Sequence, residues 1–175
     1  FIFWGLPFGR QIGIWLFSRD SIGRMIIKAL TRRGIVLMIF IVVLWGWHDP
    51  TLYNNTLTDP FLHDAEHLAF FITAILLWWQ IIGAGPRIQG NFAPIIRIAF
   101  VFVVAISNAI PGVIISLSSQ VIYTYYATVP RLFGIDALTD QIIGGMIMWV
   151  PGTMMYLLTA VIILFRNFDQ IDSAG

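Results

Sequence analysis

Residues 61–83 read FLHDAEHLAFFITAILLWWQIIG. From Leu68 to Trp79 the run is apolar but for Thr73, and the whole stretch exceeds the roughly 20 residues a helix needs to cross bilayer hydrocarbon. Lipid offers no partner to an open backbone, so a segment of this kind has to be a helix. Its first turns carry a second message. His63-Asp64-Ala65-Glu66-His67 spells H-x-x-E-H, the signature of the inverted zinc peptidases. The apolar half decides the fold, and the rest of the chain decides what the polar half can do.

The 175-residue chain is 58% hydrophobic and 11% charged, whereas soluble domains are about half apolar and a quarter charged. Lipid must cover much of that surface. Cysteine is absent, which excludes disulfides, thiolate zinc sites and Cys-based copper sites together. The net charge of +1 gives no reason to expect a nucleic-acid partner. The chain opens on Phe1 rather than a methionine, which predicts a natural start further upstream. No small-residue cleavage site follows the first apolar stretch, so it does not read as a secretory signal.

Working outward from residues 61–83, four more apolar segments appear, at about 1–17, 26–47, 93–117 and 138–165. The predicted fold is all-α: a polytopic transmembrane helix bundle of about five spans, forming one domain over residues 1–175. The basic residues predict its orientation. Arg19, Arg24, Lys28, Arg32 and Arg33 precede the second span, Arg87 follows the third, and Arg166 follows the fifth. Arg97, just inside the fourth span, can snorkel to the same side. The 49–60 and 118–139 loops hold only one basic residue, Arg131. An excess of Lys and Arg marks cytoplasmic loops, so these two loops face outward. Trp78, Trp79 and Gln80 then read as an inner interfacial belt, and Tyr123, Tyr125 and Tyr126 as an outer one.

That topology collects all three histidines at the outer end. His63 and His67 are four apart and share a helix face. His48 ends the second span, and the loop carrying Pro50 and Pro60 is short enough to bring it alongside. Three imidazoles about one point suit copper or zinc. The fifth span starts at the same end with Gln141, Gly145, Met148 and Gly152 on one stripe and Gly144 beside it. Small residues there allow close helix approach and turn Met148 into the bundle. A thioether beside imidazoles favours Cu(I) over zinc. Asp64, Glu66, Asp140 and Gln141 are candidates to orient the ligands from behind.

Plainer readings compete. A lone histidine at a membrane interface is ordinary, methionine is common packing filler, and acids favour the first turns of helices. A zinc peptidase needs an open water position and room for a peptide, and nothing beyond the motif suggests a groove. Haem held by His48 with His63 or His67 is a further alternative, less natural for residues gathered at one rim.

These residues carry a resemblance. WGWHDPTLYNNTLTDPFLHDAEHLAFFITAILLWW, followed by LTDQIIGGMIMWVPG, resembles the CtaG-type cytochrome c oxidase assembly factor family of bacterial membrane proteins. The family pattern H-x-P-x-x-Y is met by His48, Pro50 and Tyr53. P-x-x-H-x-x-E-H-x-x-F is met by Pro60, His63, Glu66, His67 and Phe70, with Trp78 or Trp79 near the helix end. D-Q-x-x-G-G-x-x-M-W-x-x-G is met by Asp140, Gln141, Gly144, Gly145, Met148, Trp149 and Gly152. The similarity runs over residues 32–165. It implies a multi-pass protein of the bacterial cytoplasmic membrane, not a turnover enzyme, that helps a haem–copper oxidase acquire copper on the extracytoplasmic face. It also implies more spans than the five read here. The alternative is an accessory subunit of a larger respiratory or photosynthetic complex, with the histidines in a structural metal site or polar network.

Overall fold

Thr31 and Arg32 interrupt what the sequence reads as one span. The computed structural model describes residues 22–83, 90, 92–130 and 134–172, so the span expected at 1–17 lies outside the described residues. Helix α1 covers Ile22–Leu30 and α2 covers Arg33–Trp47. Between them, Arg32 is extended, at φ −61° and ψ 130°. The Thr31 hydroxyl and amide both donate to the Ile27 carbonyl, at 2.6 and 2.8 Å. The Thr31 carbonyl is met instead by the Gln80 amide at 2.9 Å.

The expected 26–47 span is therefore corrected to two helices. The 15 residues of α2 reach only about 23 Å at 1.5 Å per residue, short of a hydrocarbon core of about 30 Å. It is followed by α3, Pro50–Thr56, at a bend of 74°. The 49–60 segment is thus not the plain loop the sequence suggested. Asp49 accepts from Thr51 N and Leu52 N at 3.0 and 3.1 Å, with Pro50 in the first turn. A carboxylate cap followed by proline is a strong helix start.

The same device opens α4, Pro60–Ile82, where Asp59 accepts from Phe61 N and Leu62 N. Gly83, at φ 69°, ends it in the left-handed conformation that glycine adopts without strain. Helix α5 spans Pro94–Leu117, α6 is the short Tyr125–Thr128, and α7 runs Ala137–Asp172. Asp136 caps α7, accepting from the amides of Leu138 and Thr139. The described residues are all-helical with no strand, and α4, α5 and residues 137–168 of α7 are long and apolar enough to cross a membrane. The bent pair α2–α3 makes up to four among the described residues, and the fifth expected span, at 1–17, lies outside them.

Packing is closest between α5 and α7, which run antiparallel with Gly112 against Trp149 and Ser116 against Gly145. A Cβ added at Gly112 would meet the Trp149 Cβ at 2.8 Å, and one at Gly145 would meet the Ser116 amide at 2.7 Å. The backbones touch because side chains are missing there, as the small-residue stripe predicted. Helices α2 and α4 form a second antiparallel pair, and α2 also packs on α5. Val36, Phe40 and Leu44 of α2 recur at helical spacing and meet Leu77 and Ile81 of α4, Val101 and Val104 of α5, and Tyr156 and Ala160 of α7. Trp78 stacks on Tyr156 at 5.8 Å and 10°, so it belongs to this core rather than to an interfacial belt. Large apolar residues such as Phe71, Ile72, Ile95, Ile147 and Leu158 stay on the outside, where lipid takes them.

Candidate functional site

Two connections meet at the end of the bundle where α2 stops and α4 begins, and polar side chains hold them in place. The Asn54 side chain on α3 accepts from the Tyr125 amide at 3.1 Å and donates to the Thr124 hydroxyl at 3.3 Å. The Gln141 Oε1 on α7 accepts from Ile122 N at 2.6 Å, and its Nε2 donates to the carbonyls of Gln120 and Ile115 at 3.1 and 3.3 Å. The 118–128 segment is thereby folded over the helix ends. It brings three tyrosines together: the Tyr53 and Tyr123 rings lie 4.2 Å apart, and the Tyr53 and Tyr126 hydroxyls 3.3 Å apart.

These tyrosines wall a cleft of about 390 Å³. His48, Met148, Asp140, Gln141 and Gly144 complete the lining with Ile115 and Gly145. Tyr123 donates to the His48 carbonyl at 3.2 Å. His48 directs Nδ1 at the Leu44 carbonyl, 2.6 Å away, and packs edge-on to Phe70. A carbonyl can only accept, so the proton sits on Nδ1 and Nε2 carries the lone pair a metal or an acid would need. Met148 lies half-buried against the core, turned into the bundle as its stripe predicted.

His63 and His67 form a separate group. Both are exposed on the first turns of α4, with ring centroids 4.5 Å and Nε2 atoms 3.2 Å apart. One nitrogen donates to the other there, and moving the donor's proton to its Nδ1 would turn two lone pairs toward one point. His48 is held away by its bond to the end of α2. Among the described residues, no group of three or more His, Cys, Asp or Glu is placed to hold a metal ion. The sequence placed three imidazoles at one rim, and the structure divides them into a surface pair and a cleft residue.

The residues expected behind the ligands divide too. Asp64 is exposed, and Asp140 lines the cleft. Gln141 spends its hydrogen bonds on backbone rather than on an imidazole. Glu66 is 9% exposed and near enough for its charge to act on both Tyr53 and Tyr123. Burial, followed by the negative charges of Asp49 and Glu66, pushes the Tyr123 phenol up to about 12.

Tyr123 and Tyr126 are the residues sequence reasoning missed. The sequence reads them as an interfacial belt, yet Tyr123 is buried and both line the cleft. Their spacing of three, on the same side as Tyr53, was the available signal.

Taken together, the fold and site define a helical membrane protein whose polar chemistry is collected at one end of the bundle. The chain matches the family described as cytochrome c oxidase caa3 assembly factor, Caa3_CtaG, over residues 1–170, and it belongs to that family. An oxidase assembly factor points to a non-catalytic role at a membrane, in contact with oxidase subunits. Neither the curated proteins nor the solved structures include a match to this chain.

Proposed function

We propose that this assembly factor takes up copper, as Cu(I), at its histidine-bearing end and passes it to a subunit of a haem–copper oxidase at the outer membrane face. One observation carries the reading: the Nε2 atoms of His63 and His67 converge to 3.2 Å on an exposed helix face. Imidazole suits copper and zinc alike. Structural zinc sites close with four protein ligands, and catalytic ones keep three, so an imidazole pair falls short of a zinc site. Exposure suits a cargo that must be received and given up by ligand exchange. The cleft beside the pair offers the Nε2 lone pair of His48 and the Met148 thioether, a softer donor set for the same ion. The excess of Lys and Arg at the far end supports an outward-facing histidine end.

Elemental analysis of the purified protein tests this. One copper per chain is expected in the wild type and none after His63→Ala with His67→Ala. Stoichiometric copper surviving the double substitution would sink the proposal. Both residues are exposed, so a loss of copper is not a loss of fold, and helical circular dichroism checks that point.

A second reading rests on the clamps formed by Gln141 and Asn54. They make this end a hydrogen-bonded structural cap, as an accessory subunit of a larger complex would need. Recovery of the protein in a stable stoichiometric complex with a mature oxidase would favour that reading. Recovery free of it, with a requirement only during oxidase maturation, favours the copper carrier.

A further inference from the structure

His63 and His67 supply two ligands, and the shape of the pair says how many are wanting. Their Nε2 atoms are 3.2 Å apart. With metal–nitrogen bonds of about 2.0–2.1 Å, that separation subtends about 100–105° at an ion, close to the tetrahedral angle of about 109°. The pair is therefore one edge of a tetrahedron. A metal takes the place of the proton now shared between the two nitrogens, which moves to Nδ1. Among the described residues, no third His, Cys, Asp or Glu joins the pair to hold an ion. The opposite edge has to be filled from outside the chain.

The surroundings of the pair favour a second copy of the chain. His63, His67, Phe71 and Ala74 follow one flank of α4 at helical spacing, and all four are exposed. Helix α4 packs chiefly on α2 and α3, and Phe71 on this flank is left 65% exposed. Ala74 is small enough to let another helix come close. Copies of one membrane protein share an orientation, because their basic residues select the same side. A two-fold axis along the membrane normal then sets two α4 helices parallel and brings their histidine pairs to one level. Four imidazoles meet there, with the apolar flanks in contact beside them.

We propose that zinc joins two copies of this chain through His63 and His67 of each, in a site of four imidazoles. Zinc takes a closed tetrahedron of four protein ligands in structural sites, so one pair leaves it half held and two pairs hold it fully. The exposed Asp64 carboxylates beside the pairs repel one another as two copies approach, and the dication offsets them. The contact therefore forms with zinc and opens without it. This inference rests on the copper reading only in that the same pair binds metal. Zinc in the joined site closes the imidazoles to copper, which makes it an inhibitor of uptake rather than a cargo.

The test titrates the metal-free full chain in detergent with zinc chloride alone and follows its mass by light scattering after gel filtration. Dimer is expected to peak at half an equivalent of zinc per chain and to revert to monomer in EDTA. Excess zinc should also split it, as each pair takes an ion of its own. His63→Ala and His67→Ala should each abolish the dimer, with helical circular dichroism unchanged because both positions are exposed. A monomer that binds one zinc would overturn the second copy in favour of water ligands. A dimer that persists in EDTA, or in the histidine variants, would overturn the metal in favour of the apolar flank. Copper content, measured separately, keeps the two readings apart. A chain that binds copper but does not dimerise with zinc ends this proposal alone, and a zinc dimer whose chains never bind copper ends the copper reading alone.

Discussion

Gln141 makes three hydrogen bonds, all to backbone, and its substitution separates a clamp from a metal-site residue. Gln141→Leu leaves the Ile122 amide without its partner at a half-buried position, at a cost of about 1 kcal/mol. Faster hydrogen exchange at Ile122 is expected, with the copper content of the protein unchanged. Lost copper with unchanged exchange would return Gln141 to the role the sequence suggested. Asp136 offers a second check at this scale. The hydroxyl of Thr139, with the amides of Thr139 and Leu138, lowers its carboxyl below the usual range. A depressed carboxyl contributes stability above its unfolded value, about 3.9, and loses it as pH falls through the lower folded value. The first turn of α7 should therefore loosen in acid, seen as faster exchange at Leu138 and Thr139. Asp136→Asn should flatten that dependence. The caps themselves were legible. Asp49-Pro50 and Asp59-Pro60 are carboxylate and proline in the order a helix start requires, although the polar run after Pro50 reads as loop.

Among the elements, the α5–α7 crossing is the most exposed to substitution. Gly145→Leu must displace the backbone at Ser116 and Gly112, because even a Cβ would lie 2.7 to 2.9 Å from them. Such overpacking costs typically 1–3 kcal/mol. Gly144→Ala has nothing within 4 Å of its new Cβ and gains roughly 0.5–1 kcal/mol of helix propensity. Thermal unfolding in detergent should rank Gly144→Ala at or above wild type and Gly145→Leu well below it. Adjacent glycines in the sequence look alike. Their rotation about the helix axis was readable from the stripe of Gln141, Gly145, Met148 and Gly152. The neighbour each would strike was not. The break at Thr31–Arg32 was illegible for a related reason. No proline or glycine marks it, and it persists because Gln80, 49 residues on, satisfies the freed carbonyl.

For the molecule as a whole, charge segregation predicts orientation. Because the chain has no cysteine, introduced ones report without background. Thr58→Cys, exposed at the histidine end, should react with a membrane-impermeant thiol reagent in intact cells. Lys28→Cys should react only after permeabilisation. The reverse pattern would place the histidines inside and remove the outer-face copper proposal with them. By itself the sequence determined that this chain is helical and lies in lipid, because the length and apolarity of a segment are local properties. It also determined which end of the bundle holds the histidines, since the order of spans carries residues 48, 63 and 67 to one side. Only the tertiary structure decided how FLHDAEHLAFF is shared out. A helix sends residues one position apart to different faces. His63 and His67, four apart, share an exposed face, and Glu66, one position before His67, is buried. His48, tied to Leu44, stays in the cleft.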